Sequence, residues 1–284
     1  MEKKRELKSQ LLEIKSNDWE IPNDVDIREL ALEAMDNIGV KDQELRDSLI
    51  LTFLYKLITE RKLSKDVIRE LLNKCLSDKH LFYKIGEKKD DSVFNRGFTI
   101  LIVRWIVYYH NKFGEDLLSK EEMIKVFEDV VKYVRLEKDV RGYVEDGGWA
   151  HSLAHAATAL RTLALCNYIQ KDELLELLEV VKEKASISYY VHITEEAERL
   201  VMVVINIMSR NILIEDEIID WIRSFNELGE PSHSAEKFYW KENIQGLLRA
   251  LYFRLKFKKG SIKIINEIEK ISHKFNQFHN NMKE

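Results

Sequence analysis

Between Glu137 and His155 the chain reads Glu-Lys-Asp-Val-Arg-Gly-Tyr-Val-Glu-Asp-Gly-Gly-Trp-Ala-His-Ser-Leu-Ala-His. This stretch holds four carboxylates (Glu137, Asp139, Glu145, Asp146), Arg141, two histidines, Tyr143, Trp149 and three glycines. Proton-transfer and anion-holding groups therefore stand beside aromatic rings and freely turning backbone, and an alanine-rich helix follows. That mixture points to a lined pocket. Asp139 or Glu145 can serve as a general base while Arg141 grips an anionic group. The same residues can equally pin the loop through an Arg141–carboxylate pair.

If the following helix begins at Trp149, His151 and His155 stand at i and i+4 and share one face. With a third ligand from Glu145, Asp146, Glu195 or Glu196, the pair can hold a divalent metal. Ser152, however, occupies the position where a zincin carries its glutamate. Hydrogen-bonding histidines in a ligand pocket and plain structural histidines are the other two readings. Thr158 and Thr162 continue the polar stripe, and Leu153, Ala154, Ala157, Leu160 and Ala164 make the opposite side small and apolar. Trp149, after two glycines, is expected to wedge between helices. The five tryptophans and the run Phe238-Tyr239-Trp240 are read as core. Arg96 and Arg104 lie two turns apart on a largely apolar helix, and the carboxylates of Glu137 to Glu145 are their expected partners. Thr194 followed by Glu195, Glu196 and Glu198 looks like a helix start whose acids complement the dipole.

The elements that must position these groups are helical. Pro (2) and Gly (10) are scarce in 284 residues, and the 33% of charged residues mix both signs at helical spacing. The spacing of apolar residues predicts helices beginning near Leu7, then over Asp26–Met35, Asp42–Glu60, from Ser64, and over Asp91–Tyr109 as a central helix. Ser119-Lys120-Glu121-Glu122 predicts a capping box. Further helices are expected over Trp149–Asn167, Asp172–Lys184, Thr194–Ser209, Asp216–Glu227 and Phe238–Phe257, and a last one from Ile262 to about His279. The expected class is all-α, a single domain over residues 1–284. About a dozen helices would form an α-solenoid or curved α/α helical-repeat array of HEAT or armadillo type. A compact irregular bundle is the alternative.

The net charge of −4 argues against a general nucleic-acid binder, despite the basic Lys256-Phe257-Lys258-Lys259. Cys75 and Cys166 form no C-x-x-C pair, so neither a zinc knuckle nor a disulfide framework is indicated. The apolar run Phe98–Tyr109 is broken by Arg104 and falls short of the ~20 residues that span a bilayer. No signal-peptide core follows Met1, so a soluble, cytoplasmic protein is expected. Phosphate-loop, dinucleotide-fold and serine-hydrolase signatures are missing from the sequence.

The pattern Asp139-x-Arg141-Gly142-Tyr143-Val144-x-x-x-Gly148-Trp149-Ala150-His151-x-x-Ala154-His155 resembles that of an uncharacterised all-helical bacterial family, known only as a domain of unknown function. Val93-Phe94-Asn95-Arg96-Gly97-Phe98, Glu195-Glu196-Ala197-Glu198-Arg199-Leu200 and the segment Leu247–Leu255 look similar to other segments of that family. Two departures stand out: Thr158 where the family shows Asp after the second histidine, and Gly97 in place of the usual Ser. The resemblance implies a fold and a site but no reaction.

These readings favour a helical-repeat protein that binds a protein, peptide or small-molecule ligand. Its pocket candidates are Arg96, Glu137, Asp139, Arg141, Tyr143, Glu145, Trp149, His151, His155 and Glu196. The alternative is a hydrolase-type enzyme using His151 or His155 with nearby carboxylates, with or without a divalent metal.

Overall fold

The computed structural model describes residues 2–114 and 117–276. Among them the protein is all-α apart from two strands of two residues each. Backbone contacts divide the chain into two compact units, Met1–Tyr168 and Ile169–Glu284.

The first unit contains α1 (Glu2–Ser16), α2 (Ile27–Asp36), a π-helical run (Glu44–Leu51) continuing into α3 (Thr52–Thr59), α4 (Lys65–Cys75), α5 (Ser92–Phe113), α6 (Lys120–Leu136) and α7 (Ser152–Ala164). Its helix starts follow from local chemistry. The Asp26 carboxylate accepts from the Arg28 and Glu29 amides at 2.9 and 3.0 Å. Ser119 and Glu122 form the expected capping box, with reciprocal bonds of 3.2 and 2.7 Å. α5 is buried on most of its circumference and is flanked by α3, α4 and α7. Contacts along α5 and α7 advance in step, from Gly97 against Ala150 to the Asn111 side chain on the Thr162 carbonyl, so these two helices run parallel. Their close approach needs Gly97: a Cβ there would stand 3.0 Å from the Ala150 carbonyl oxygen.

Between α6 and α7 lie β1 (Tyr143–Val144) and β2 (Gly148–Trp149), paired antiparallel with Tyr143 opposite Trp149 and Val144 opposite Gly148. The hairpin corrects the expected helix start at Trp149. Trp149 is in a strand, and His151 adopts the left-handed conformation (φ 47°) just ahead of α7. The Ala150 amide is drawn back to the Gly142 carbonyl at 2.8 Å, so no helical turn can form there.

The second unit contains α8 (Lys171–Ala185), α9 (Glu196–Ser209), α10 (Glu215–Arg223) with a short 3₁₀ turn (Ser224–Glu227), α11 (Ser234–Phe257) and α12 (Ile262–Phe275). α9 packs on α8 and α11, and α12 on α10 and α11. The expected end of the last helix near His279 lies outside the described residues. Among the described residues, no helix is long and apolar enough to cross a membrane.

Candidate functional site

The charged half of the Glu137–His155 segment is consumed in holding the chain. Arg96, fully buried on α5, donates from Nε and Nη2 to the two Glu137 carboxylate oxygens at 2.6 and 2.9 Å. Its Nη1 donates to the carbonyls of Tyr83 (3.0 Å) and Lys84 (3.2 Å) and to Ser92 Oγ (2.7 Å). Burial works against the Arg96 charge, but the hydrogen bonds and charge of Glu137 outweigh it and hold its pKa above the usual value. Glu137 also accepts the Asp139 amide at 2.9 Å. Asp139, buried in turn, accepts from Arg141 Nε and Nη2 at 2.8 and 2.6 Å and from the Lys89 amide at 2.9 Å. Arg141 reaches on to the Asp90 carbonyl at 3.1 Å. Glu137 and Asp139 are therefore both taken up by backbone and guanidinium donors.

Sequence reasoning missed Arg46, which lies fully buried within the π-helical run. Its guanidinium is sandwiched between the rings of Phe94 and Phe98, 4.2 and 4.6 Å from their centroids. It donates to Asp47 (2.7 Å) and to the carbonyls of Val40 (3.0 Å) and Gly147 (2.8 Å). Desolvation pushes the Arg46 pKa down and the Asp47 carboxyl up, in each case against their mutual attraction. Arg46 thus fastens the hairpin turn to α5.

Beside this network the segment presents a run of rings. Tyr143 and Trp149 meet edge to face at 5.2 Å, and Trp149 stacks on His151 at 4.4 Å with the planes 2° apart. His151 lies 5.8 Å from His155, which packs edge-on against Phe98 at 5.3 Å. His155 Nδ1 is 2.8 Å from the Gly97 carbonyl, and since a carbonyl only accepts, Nδ1 carries the proton. Tyr143 is 60% and Trp149 41% exposed, which corrects the expectation of a wedged tryptophan. The cause is the hairpin: strand pairing turns the indole outward where a helix start would have turned it in. Trp149→Ala should accordingly cost only about 1 kcal/mol in chemical denaturation, not the 3–5 kcal/mol typical of a buried tryptophan. Phe238, read as core with its neighbours, is likewise 52% exposed, whereas Trp240 is buried.

The structure brings Tyr143, Trp149, His151 and His155 together and draws Arg96, Glu137, Asp139 and Arg141 into a separate network. Glu145 and Asp146 sit exposed at the hairpin tip. Thr158 and Thr162 donate to carbonyls of their own helix, at 2.9 Å each. Among the described residues, no group of three His, Cys, Asp or Glu side chains is placed to hold a metal ion, so His151 and His155 gain no third ligand. Arg104 departs from expectation too, since no carboxylate pairs with it among the described residues.

Glu196 belongs to the second unit. Buried at the start of α9, it accepts from the Thr194 amide at 2.8 Å and from the Thr194 hydroxyl. Nearby Asn243 of α11, also missed in the sequence, holds the loop before α9. It accepts the His192 amide at 2.8 Å and donates to the Ile187 and Tyr190 carbonyls at 2.9 and 2.7 Å. Both ring nitrogens of His192 are buried and find no hydrogen-bond partner among the described residues. Burial pushes its pKa down to about 4, opposed by the Glu196 charge and reinforced by Lys184. Because the folded pKa lies below the ordinary 6.5, the unfolded chain takes up the proton first. This contribution to stability is complete above pH ~6.5 and is lost as pH falls towards ~4. The ring is partly shielded, so the loss should be about 1–3 kcal/mol. Denaturation midpoints compared at pH 7 and pH 4.5 should fall less for His192→Gln than for the unaltered protein.

Fold and site together define an all-helical protein with an aromatic hairpin locked onto its central helix. The chain belongs to the family described as "Protein of unknown function (DUF2785)", whose model matches residues 81–253 and so takes in α5, the hairpin and α7. No curated protein and no solved structure matches the chain.

Proposed function

We propose that the protein is a helical-repeat binding module whose recognition surface is the ledge of Tyr143, Trp149, His151 and His155, and whose partner is a protein or peptide. One observation carries this reading: a tryptophan and a tyrosine stand exposed on a hairpin whose base is fixed by one buried and one part-buried ion pair. Exposed aromatic side chains of this kind dominate binding energy at interfaces, and a ledge already held in place loses little freedom on binding. The packing of alternate helices on one another (α3 on α5, α5 on α7, α9 on α11, α10 on α12) supports the repeat reading within each unit. The hydrolase alternative needs a carboxylate or nucleophile beside His151 or His155. Of the carboxylates in the segment, Glu137 and Asp139 are instead bound to arginines, and Glu145 and Asp146 sit exposed at the hairpin tip.

Selection of displayed random peptides against the purified protein tests the proposal. The expected peptides bind with micromolar affinity and lose about tenfold or more on Trp149→Ala or Tyr143→Ala. No enrichment, or peptides that bind the variants equally well, would overturn it.

A further inference from the structure

A second feature of the first unit lies away from the aromatic ledge. Arg104, half-buried on α5, has its guanidinium carbon 3.4 Å from the centroid of the Trp105 ring and 5.9 Å from that of Tyr108. Tyr55 of α3 braces Trp105 from the side, with the ring centroids 4.4 Å apart. Stacking of this kind fixes the plane of the guanidinium but uses none of its N–H groups. Its Nε is shielded from solvent yet has no hydrogen-bond partner among the described residues. In the same unit, buried Arg46 and Arg96 are both supplied with a carboxylate and with backbone carbonyls. Arg104 has neither.

The charged neighbourhood makes the deficit sharper. Burial and then the like charge of Arg161, on adjacent α7, push the Arg104 pKa down to about 10, while Tyr108 and Tyr55 act weakly the other way. The group stays charged at neutral pH. Lys112, two turns along α5 from Arg104, places its ammonium 5.5 Å from the centroid of the same Tyr108 ring. Arg104 and Lys112 thus share the Tyr108 ring, Arg161 adds its like charge to Arg104, and none of the groups acting on Arg104 is a carboxylate. A desolvated cation beside a second one is costly unless an anion joins them.

We propose that Arg104, with Arg161 and Lys112, forms a site for a phosphate group, the Trp105 and Tyr108 rings holding the guanidinium edge-on to the ligand. A phosphate suits the arrangement because it offers several oxygens to a planar fork and enough charge for more than one cation. The site is independent of the peptide-binding ledge, and either proposal can fail without the other.

Calorimetric titration with inorganic phosphate, and separately with phenyl phosphate, at constant ionic strength tests the site; a chloride titration sets the baseline. Saturable binding is expected, weakened about tenfold or more by Arg104→Gln and less by Arg104→Lys, which keeps the charge but loses the fork. Tighter binding of phenyl phosphate would assign the site to a phosphate ester, and tighter inorganic phosphate to the free ion. Thermal unfolding gives a second readout: phosphate should raise Tm of the unaltered protein beyond chloride and do so less for Lys112→Gln, which leaves Arg104 in place. No saturable heat, or binding unchanged by both substitutions, would overturn the proposal.

Discussion

Glu137→Gln is expected to destabilise the first unit by about 3–5 kcal/mol, because it strips the charge from a buried pair and leaves its partner in place. Arg96 is fully buried, and Glu137 accepts from two of the three nitrogens of its guanidinium. Glutamine is nearly isosteric, so the loss would report the unpaired charge and not a cavity. Urea denaturation gives the magnitude, and hydrogen exchange of the α5 and α6 amides locates it. The double replacement Arg96→Met with Glu137→Leu should recover much of the loss, since apolar side chains of similar size commonly replace a buried ion pair without penalty. A Glu137→Gln protein within about 1 kcal/mol of the original would show that this pair does not anchor the segment.

That experiment bears on function as well as stability. A carboxylate bound by both arms of a buried guanidinium is poorly placed to move a proton, and Asp139 is held by Arg141 in the same way. If the Glu137 variant unfolds without changing the affinity of a selected peptide in its folded fraction, the charged residues of this segment are positioning residues for the aromatic ledge.

The sequence made some of this legible and hid the rest for physical reasons. The Ser119–Glu122 box and the apolar stripes of the helices are local signals, and the chain obeys them. The residue types around Glu137 announced a charged cluster, but not which arginine would meet which carboxylate, because Arg96 and Glu137 are 41 residues apart. The hairpin is hidden in the sequence for a related reason. Gly147-Gly148-Trp149 suits a helix start as well as a turn, and only the pairing of Tyr143 with Trp149 decides between them. That one decision turned Trp149 from a buried wedge into an exposed platform. Arg46 was hidden by its type. It stands three, four and seven residues before Leu49, Ile50 and Phe53, so helical spacing puts it on their buried face, but an arginine is seldom buried without partners, and the Gly147 carbonyl that meets it lies 101 residues away.

Arg46→Met should therefore be the most informative change in the segment. Methionine refills much of the space between Phe94 and Phe98 but leaves the Val40 and Gly147 carbonyls buried without their donor. With about 1–3 kcal/mol for each stranded group, partly offset by removing a desolvated charge, the expected cost is about 2–4 kcal/mol. The loss should fall on the hairpin. Exchange of the Ala150 amide, which now donates to Gly142 at 2.8 Å, should accelerate, and Trp149 emission should shift to the red. Gly147→Ala attacks the same joint from the other side: its Cβ would stand 2.5 Å from Phe94 Cζ, and Phe94 must move or the turn must lift. Overpacking of that kind costs about 1–3 kcal/mol. Because both changes act on one contact between the turn and α5, their combined effect should be smaller than the sum of the two. Additive losses, with Ala150 exchange unchanged in either variant, would mean that the ledge holds its place without Arg46 and that the hairpin is rigid for some other reason.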